Sequence, residues 1–253
     1  MKITNYSSIA DKYDKNQYRS EEIRFDQDLR EYIDNHQQSE YHVLDLSCGT
    51  GLYLVKQMKA FVDYPIRWHG IDASEAMLTK AKEKIDQAIF VKGYAENMPY
   101  QPGTFDFISN NYAFHHYGKK EQALKEIERV LRIGGIYKYH NIAIHDMTKW
   151  WVYHYFPSAH YEDLKRFWNK EVLFHELTAR GFQANLKIEY KMEELKVADY
   201  LHFAENRDIS VLTLINDSDY HEGLERMRFD VNKNPEKTIP TDFAEMFCIA
   251  QKI

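Results

Sequence analysis

Strands that alternate with helices, a glycine-rich turn inside the first such pair, and an aromatic-rich segment that breaks the alternation together predict an α/β fold. The expected architecture is a doubly wound, mostly parallel, seven-stranded sheet with helices on both faces, plus a helical, aromatic cap insertion. Tyr41 to Leu46 is a short apolar strand, followed at once by Ser47-Cys48-Gly49-Thr50-Gly51 and a helix from Leu52 to Met58. Ile66 to Ile71 reads as the second strand. Ser74 to Ile85 reads as a helix opened by Ser74, with Glu75 in its first turn. Ala88 to Val91 is the third strand, Thr104 to Ser109 the fourth, and Lys119 to Leu131 the next helix. Gly135 to Ile144 is the fifth strand, entered through the Gly134-Gly135 turn.

The rhythm stops at Asp146. Residues 147–168 are dense in Trp, Tyr and Phe and show no strand period; Lys170 to Arg180 then resumes as a helix closed by Gly181. Phe182 to Tyr190 and Asp242 to Ile253 read as two late strands, with helical sequence between them around residues 194–228. Ahead of the first strand, Ser20 to His36 places Ile23, Leu29 and Ile33 among acids and arginines, the pattern of a helix that covers something. With no repeat or Pro/Gly-rich linker, residues 1–253 are expected to form a single domain. Residues 1–37 would be an N-terminal lid or helix, and 146–180 and 194–229 insertions forming a substrate cap.

Bulk properties narrow the function. The formal net charge of −6 offers no global positive field to gather phosphate backbones, so nucleic acid is not expected as a partner. The two cysteines, Cys48 and Cys248, lack metal-ligand spacing, and no metal is expected. No apolar run is long enough to suggest a membrane span, and without a secretory signal a cytoplasmic setting and a monomer or homodimer are expected. Aromatic residues make up 15% of the chain, enough to fill a core and still line a pocket.

In open parallel sheets, ligands bind outside the carboxyl ends of the strands, and the first strand-to-helix turn makes the principal contact. Dinucleotide binders use G-x-G-x-x-G there, but three residues after Gly51 stands Leu54. The spacing present is acid-x-small-x-Gly-x-Gly, supplied by Asp45, Ser47, Gly49 and Gly51. An acid suits an ammonium group, and open backbone suits a nucleoside lying along it. S-adenosylmethionine is such a ligand. Ser47 keeps this loop intact if its backbone stays at negative φ.

Over residues 40–145 the sequence resembles the class I S-adenosylmethionine-dependent methyltransferases, in particular the small-molecule branch that includes the ubiquinone and menaquinone methyltransferases, which implies a Rossmann-like fold. Val43 to Gly51 (VLDLSCGTG) resembles the family's first motif, with Ser47 for its usual first glycine. Residues 70–84 (GIDASEAMLTKAKEK) resemble the second, in which the acid at the strand end holds both ribose hydroxyls; that acid is Asp72. Ala73 follows it, and Met77 falls where the family packs an apolar side chain by the nucleoside. Residues 92–116 resemble the third and fourth motifs, with Tyr94 at the position of the acid that commonly reads adenine. Stacking on Tyr94 or backbone near Ala95 would then hold the base, while Glu96 is either a contact or a structural hydrogen-bonding residue. Asn110 completes the implied cofactor set. Residues 124–141 resemble the helix, Gly-Gly turn and strand that follow.

The resemblance implies transfer of a methyl group to an N, O or C atom of a small, aromatic or hydrophobic metabolite by in-line displacement, with S-adenosylhomocysteine as product. His115 and His116 follow the fourth strand and are the candidate base or substrate-positioning residues. His140 and Asn141 end the fifth strand, and His145 and Asp146 begin the insertion. Trp150, Trp151 and Tyr155, with Tyr153 and Phe156, are candidate acceptor walls, although aromatics at helical spacing also make core. Tyr13 and Arg19 are candidate cofactor contacts and Tyr6 and Tyr18 candidate acceptor contacts in an N-terminal lid.

Three other functions are weighed against the pattern, and the second of them fits it poorly. Tyr161 and Lys165 match the Y-x-x-x-K spacing of NAD(P)-dependent reductases. An amino-directed DNA methyltransferase would carry an Asn/Asp-Pro-Pro-aromatic turn where this chain has Asn110-Asn111-Tyr112-Ala113. The third alternative is a non-catalytic S-adenosylmethionine or S-adenosylhomocysteine binder, suggested by Ser47 and Tyr94.

Overall fold

A computed structural model describes residues 23–253. The first helix among the described residues, α1 (Gln27–Asn35), is shorter than its sequence pattern: it begins where the buried Asp26 side chain accepts a hydrogen bond from Leu29 N, a standard N-cap. It is followed by β1 (Tyr41–Leu46), α2 (Leu52–Ala60), β2 (Ile66–Asp72), α3 (Glu75–Lys84), β3 (Ile89–Lys92), β4 (Phe105–Asn111), α4 (Lys120–Val130) and β5 (Leu131–Ile142). Each lies within a few residues of its expected place. The fifth strand starts earlier than expected because Leu131 already pairs with Phe105, and the left-handed turn at Gly134 (φ +79) is absorbed as a register shift before Ile136 pairs with Phe107.

Among the described residues the sheet has seven strands in the order β3-β2-β1-β4-β5-β7-β6, where β6 is Phe182–Lys196 and β7 is Thr238–Lys252. The pairings β1–β2, β1–β4, β2–β3 and β4–β5 are all parallel. The order reverses between β1 and β4, so the switch point falls beside the loop that follows β1. Val43 and its register partner Phe107 join a core cluster with Leu29, Tyr32, Ile33, Leu54 and Leu78 from α1, α2 and α3. Their neighbours Leu44 and Ile108 point to the other face and are also fully buried, so the sheet is covered on both sides.

The chain divides into two compact units. The larger contains the described residues up to His140 together with Leu173–Leu186 and Phe247–Ile253; the smaller contains Asn141–Val172 and Lys187–Met246. The smaller unit holds α5 (Trp151–Tyr155), α6 (Pro157–Arg166), α8 (Val197–Glu205) and α9 (Asp217–Lys233), while α7 (Lys170–Thr178) follows α6. The expected insertions, 146–180 and 194–229, fall largely within this unit, except that residues 173–180 belong to the larger one. Among the described residues no helix is long and apolar enough to cross a membrane, and no group of three His, Cys, Asp or Glu side chains is disposed to hold a metal.

Candidate functional site

The loop after β1 is built on two backbone anchors. Cys48 N donates to Ile71 O on β2 (3.0 Å), and Gly49 N donates to Asp72 Oδ2 (2.9 Å), so the loop is fastened to the end of the neighbouring strand. Gly49 sits at φ +52, and a Cβ there would meet nothing within 4 Å, so open space lies over its backbone. Gly51, at φ +79, caps α2; a Cβ on it would come within 3.2 Å of Ala81 and Ile85, which ties the start of α2 closely to α3.

Ser47 departs from expectation. Its φ is +64, in the left-handed region rather than at negative φ. The loop geometry demands a left-handed residue here, and the serine adopts it. Its Oγ lies 2.9 Å from the Tyr117 hydroxyl, a partner that the sequence pattern gave no reason to single out.

Two carboxylates meet at this loop. Asp72 Oδ1 accepts from Ser74 N (2.8 Å) while Oδ2 accepts from Gly49 N. Burial raises its carboxyl above the usual range, and the N–H groups of Ser74, Gly49 and Ala73 oppose that. Asp45 is more extreme. It is 3% exposed, and among the described residues no group donates to its carboxyl. Burial, reinforced by the charge of Asp72, pushes it up to about 8. A buried acid with no donor among the described residues, beside a second acid and an open glycine backbone, suits a ligand with a cationic end and a diol. These residues therefore fit S-adenosylmethionine.

The remaining cofactor candidates separate by what they touch. Ala73 is exposed, while Met77 is buried with Leu78 and Ala81 on the inner side of α3. Tyr94 is 63% exposed and lines an open groove of about 650 Å³ with Glu96, Asn97, Gly118, Lys119 and Gln122; Ala95 is buried. Glu96 Oε1 accepts from Gly118 N (2.9 Å) and Lys119 N (3.3 Å), which is the structural role left open for it. Asn110 is also occupied. It donates to Leu46 O and to the Tyr117 hydroxyl (both 2.9 Å) and accepts from the Tyr137 hydroxyl (3.3 Å), which leaves no amide hydrogen for a ligand.

His115 and His116 form a short helical turn after β4, their rings 3.8 Å apart; His115 is buried and His116 half-buried. His140 packs between Tyr112 (4.4 Å) and Phe247 (4.1 Å, stacked). Asn141 is buried, its Oδ1 accepting from Ile142 N. His145 contacts the Phe167 carbonyl and Asp146 pairs with Lys170. Trp150, Trp151 and Tyr155 are buried within the smaller unit. Trp150 packs on Tyr153 and Phe243, Trp151 on Tyr200, and the Tyr155 hydroxyl donates to Asp230 (2.9 Å), so these rings serve that unit's core. Tyr6, Tyr13, Tyr18 and Arg19 lie outside the described residues.

The two residues of the reductase spacing both lie at the solvent face of α6. Tyr161 is exposed and Lys165 pairs with Glu162 (2.8 Å). Leu54, at the place of a third glycine, is fully buried.

The sequence profile of the "Methyltransferase domain" family matches residues 44–138. A demethylmenaquinone methyltransferase of Lactiplantibacillus plantarum is 36% identical over 108 residues, which cover 39% of this chain and 44% of that protein. An uncharacterized methyltransferase of Synechocystis is 33% identical over 113 residues, covering 43% of this chain and 49% of its own. The aligned stretches thus span less than half the length of these relatives. In fold, the chain is similar to the crystal structure of a putative methyltransferase from an antibiotic biosynthesis pathway of Anabaena variabilis, with a TM-score of 0.63, 21% identity, and coverage of 89% of this chain and 97% of that one. The matched residues contain the Gly49 loop, Asp45 and Asp72. Residues 44–138 thus match the methyltransferase-domain family, and through them the chain is similar to S-adenosylmethionine-dependent methyltransferases.

Proposed function

We propose that the protein transfers a methyl group to a small-molecule acceptor at nitrogen, oxygen or carbon by in-line displacement. The observation that carries this reading is the convergence of buried Asp45 and loop-bound Asp72 on the open backbone of Gly49, inside the segment that matches the family. S-adenosylmethionine supplies an electrophilic methyl group on a cationic sulfur. Asp72 holds the ribose diol through its remaining lone pairs, Asp45 draws the ammonium end, and Tyr94 offers a face to the base.

Because the methyl donor is already activated, the chain's task is to hold the partners in line and shed water, and such positioning supplies on the order of 7–11 kcal/mol in favourable models. His115 or His116 takes the acceptor's proton where the acceptor has one to lose, and otherwise orients it. Of the relatives, the one named demethylmenaquinone methyltransferase makes demethylmenaquinone the first acceptor to test.

The test mixes the protein with methyl-labelled S-adenosylmethionine and a metabolite extract from its host, then identifies the labelled product. Label appearing in one small metabolite supports the proposal, and calorimetry showing no binding of S-adenosylmethionine or S-adenosylhomocysteine overturns it. Ser47 and Tyr94, the two departures from the family's motifs, favour a second reading as a binder without turnover. Turnover with any acceptor excludes that reading.

A further inference from the structure

Ser47 holds a backbone conformation that L side chains rarely adopt, at the centre of the cofactor loop. Such a residue persists only when its surroundings over-determine it. The next two residues carry the loop's anchors: Cys48 N on Ile71 O and Gly49 N on Asp72 Oδ2. If Ser47 relaxed to negative φ, both anchors would turn with it.

What holds Ser47 is a chain of buried polar groups. The Tyr117 hydroxyl accepts from Asn110 Nδ2, which can only donate, and this leaves the phenol hydrogen for Ser47 Oγ at 2.9 Å. Asn110 is itself fixed by Leu46 O and by the Tyr137 hydroxyl. Tyr117 is buried and sits on rigid backbone: its N donates to Phe114 O (3.2 Å) and its carbonyl accepts from Lys120 Nζ (2.9 Å). It closes the helical turn that carries His115 and His116.

We propose that Tyr117 is a positioning residue of the cofactor site, whose hydroxyl holds Ser47 in the left-handed conformation and so lets a serine stand where a glycine would otherwise be required. This rests on the S-adenosylmethionine reading above. The same hydroxyl joins the cofactor loop to the segment bearing the candidate proton acceptors, so donor and acceptor sides share one mechanical link.

The experiment is a double-substitution cycle read as the calorimetric Kd for S-adenosylhomocysteine, with thermal melts of each ligand-free variant. Tyr117→Phe should weaken binding about tenfold in the otherwise unaltered protein, the scale of one buried hydrogen bond. In combination with Ser47→Gly, whatever affinity that variant has, Tyr117→Phe should change nothing further, because a glycine needs no restraint at positive φ. Equal weakening in both backgrounds, or no weakening in either, overturns the proposal, since the tyrosine would then act by packing alone. If Tyr117→Phe does not fold, Ser47→Ala against Ser47→Gly decides: alanine must bind more weakly than glycine, and equal affinities overturn the tether. Failure of the unaltered protein to bind overturns the cofactor reading itself and the tether's purpose with it, whereas binding with an additive cycle overturns the tether alone.

Discussion

At the scale of single residues, Asp72 and Asp45 play different parts although both are acids at the ends of adjacent strands. Asp72 is already organised by two backbone N–H groups, and in the proposed function its remaining lone pairs hold the ribose diol. Asp72→Ala should weaken S-adenosylmethionine and S-adenosylhomocysteine alike, by about 100-fold for two lost hydrogen bonds to a charged group, because the ribose is common to both. Unchanged calorimetric affinity would refute the contact. Asp45 is a pH probe. Its folded-state carboxyl is pushed up to about 8, so as pH rises from about 4 toward 8 the unfolded chain loses this proton and the folded protein keeps it. The folded state then holds more protons, and stability falls with rising pH across that window. A cationic ligand end reverses the preference. Between pH 5 and 7, where a free ammonium of this type stays charged, affinity for S-adenosylmethionine should rise with pH and binding should release a proton. Asp45→Asn should abolish both effects, and proton release persisting in that variant would rule out Asp45 as their source.

At the scale of elements, β2 carries an opposite liability. His69 is buried between the rings of His42, Tyr100 and Phe105, and neither ring nitrogen has a hydrogen-bond partner among the described residues. Burial, then the charges of His42 and Arg67, push it down to about 4 against the opposing pull of Glu40. The unfolded chain takes up a proton near the ordinary histidine range while the folded strand refuses it until about pH 4, so stability is lost as pH falls through that interval. Tm should drop over this range, and His69→Phe should flatten the slope; an unchanged slope would remove His69 as the cause. In the smaller unit, α9 approaches α5 through Gly223, where a Cβ would come within 2.6 Å of the Phe156 ring and the Tyr155 carbonyl. Gly223→Ala should therefore cost about 1–2 kcal/mol in urea unfolding, because overpacking against a ring and a carbonyl exceeds the helix-propensity gain of alanine. A stabilised variant would show that the helix can shift to accept the methyl group.

At the scale of the whole molecule, binding to the folded state alone raises stability by mass action. S-adenosylmethionine at about 100 times its Kd adds roughly 2.7 kcal/mol, which for a chain of this length is a rise of about 5–10 °C in the transition that includes residues 44–138. NADPH should give none, and protection by NADPH but not by S-adenosylmethionine would revive the reductase reading.

The sequence by itself determined the order of strands and helices, the acid-x-small-x-Gly-x-Gly loop and the acid at the end of the second strand. Hydrophobic periodicity, caps and glycines are local properties written in consecutive residues. It also carried the resemblance to a methyltransferase family, because four motifs occur in order between residues 40 and 145. Only the tertiary structure decided what each side chain spends its hydrogen bonds on. Asn110 and Glu96 sit at motif positions yet brace the backbone, and the buried aromatics of 150–155 serve the core of the smaller unit. Ser47 reads as a tolerated small residue in sequence. Its left-handed backbone and its tether to Tyr117, 70 positions away, depend on groups brought together by the sheet, and no local pattern encodes a contact of that separation.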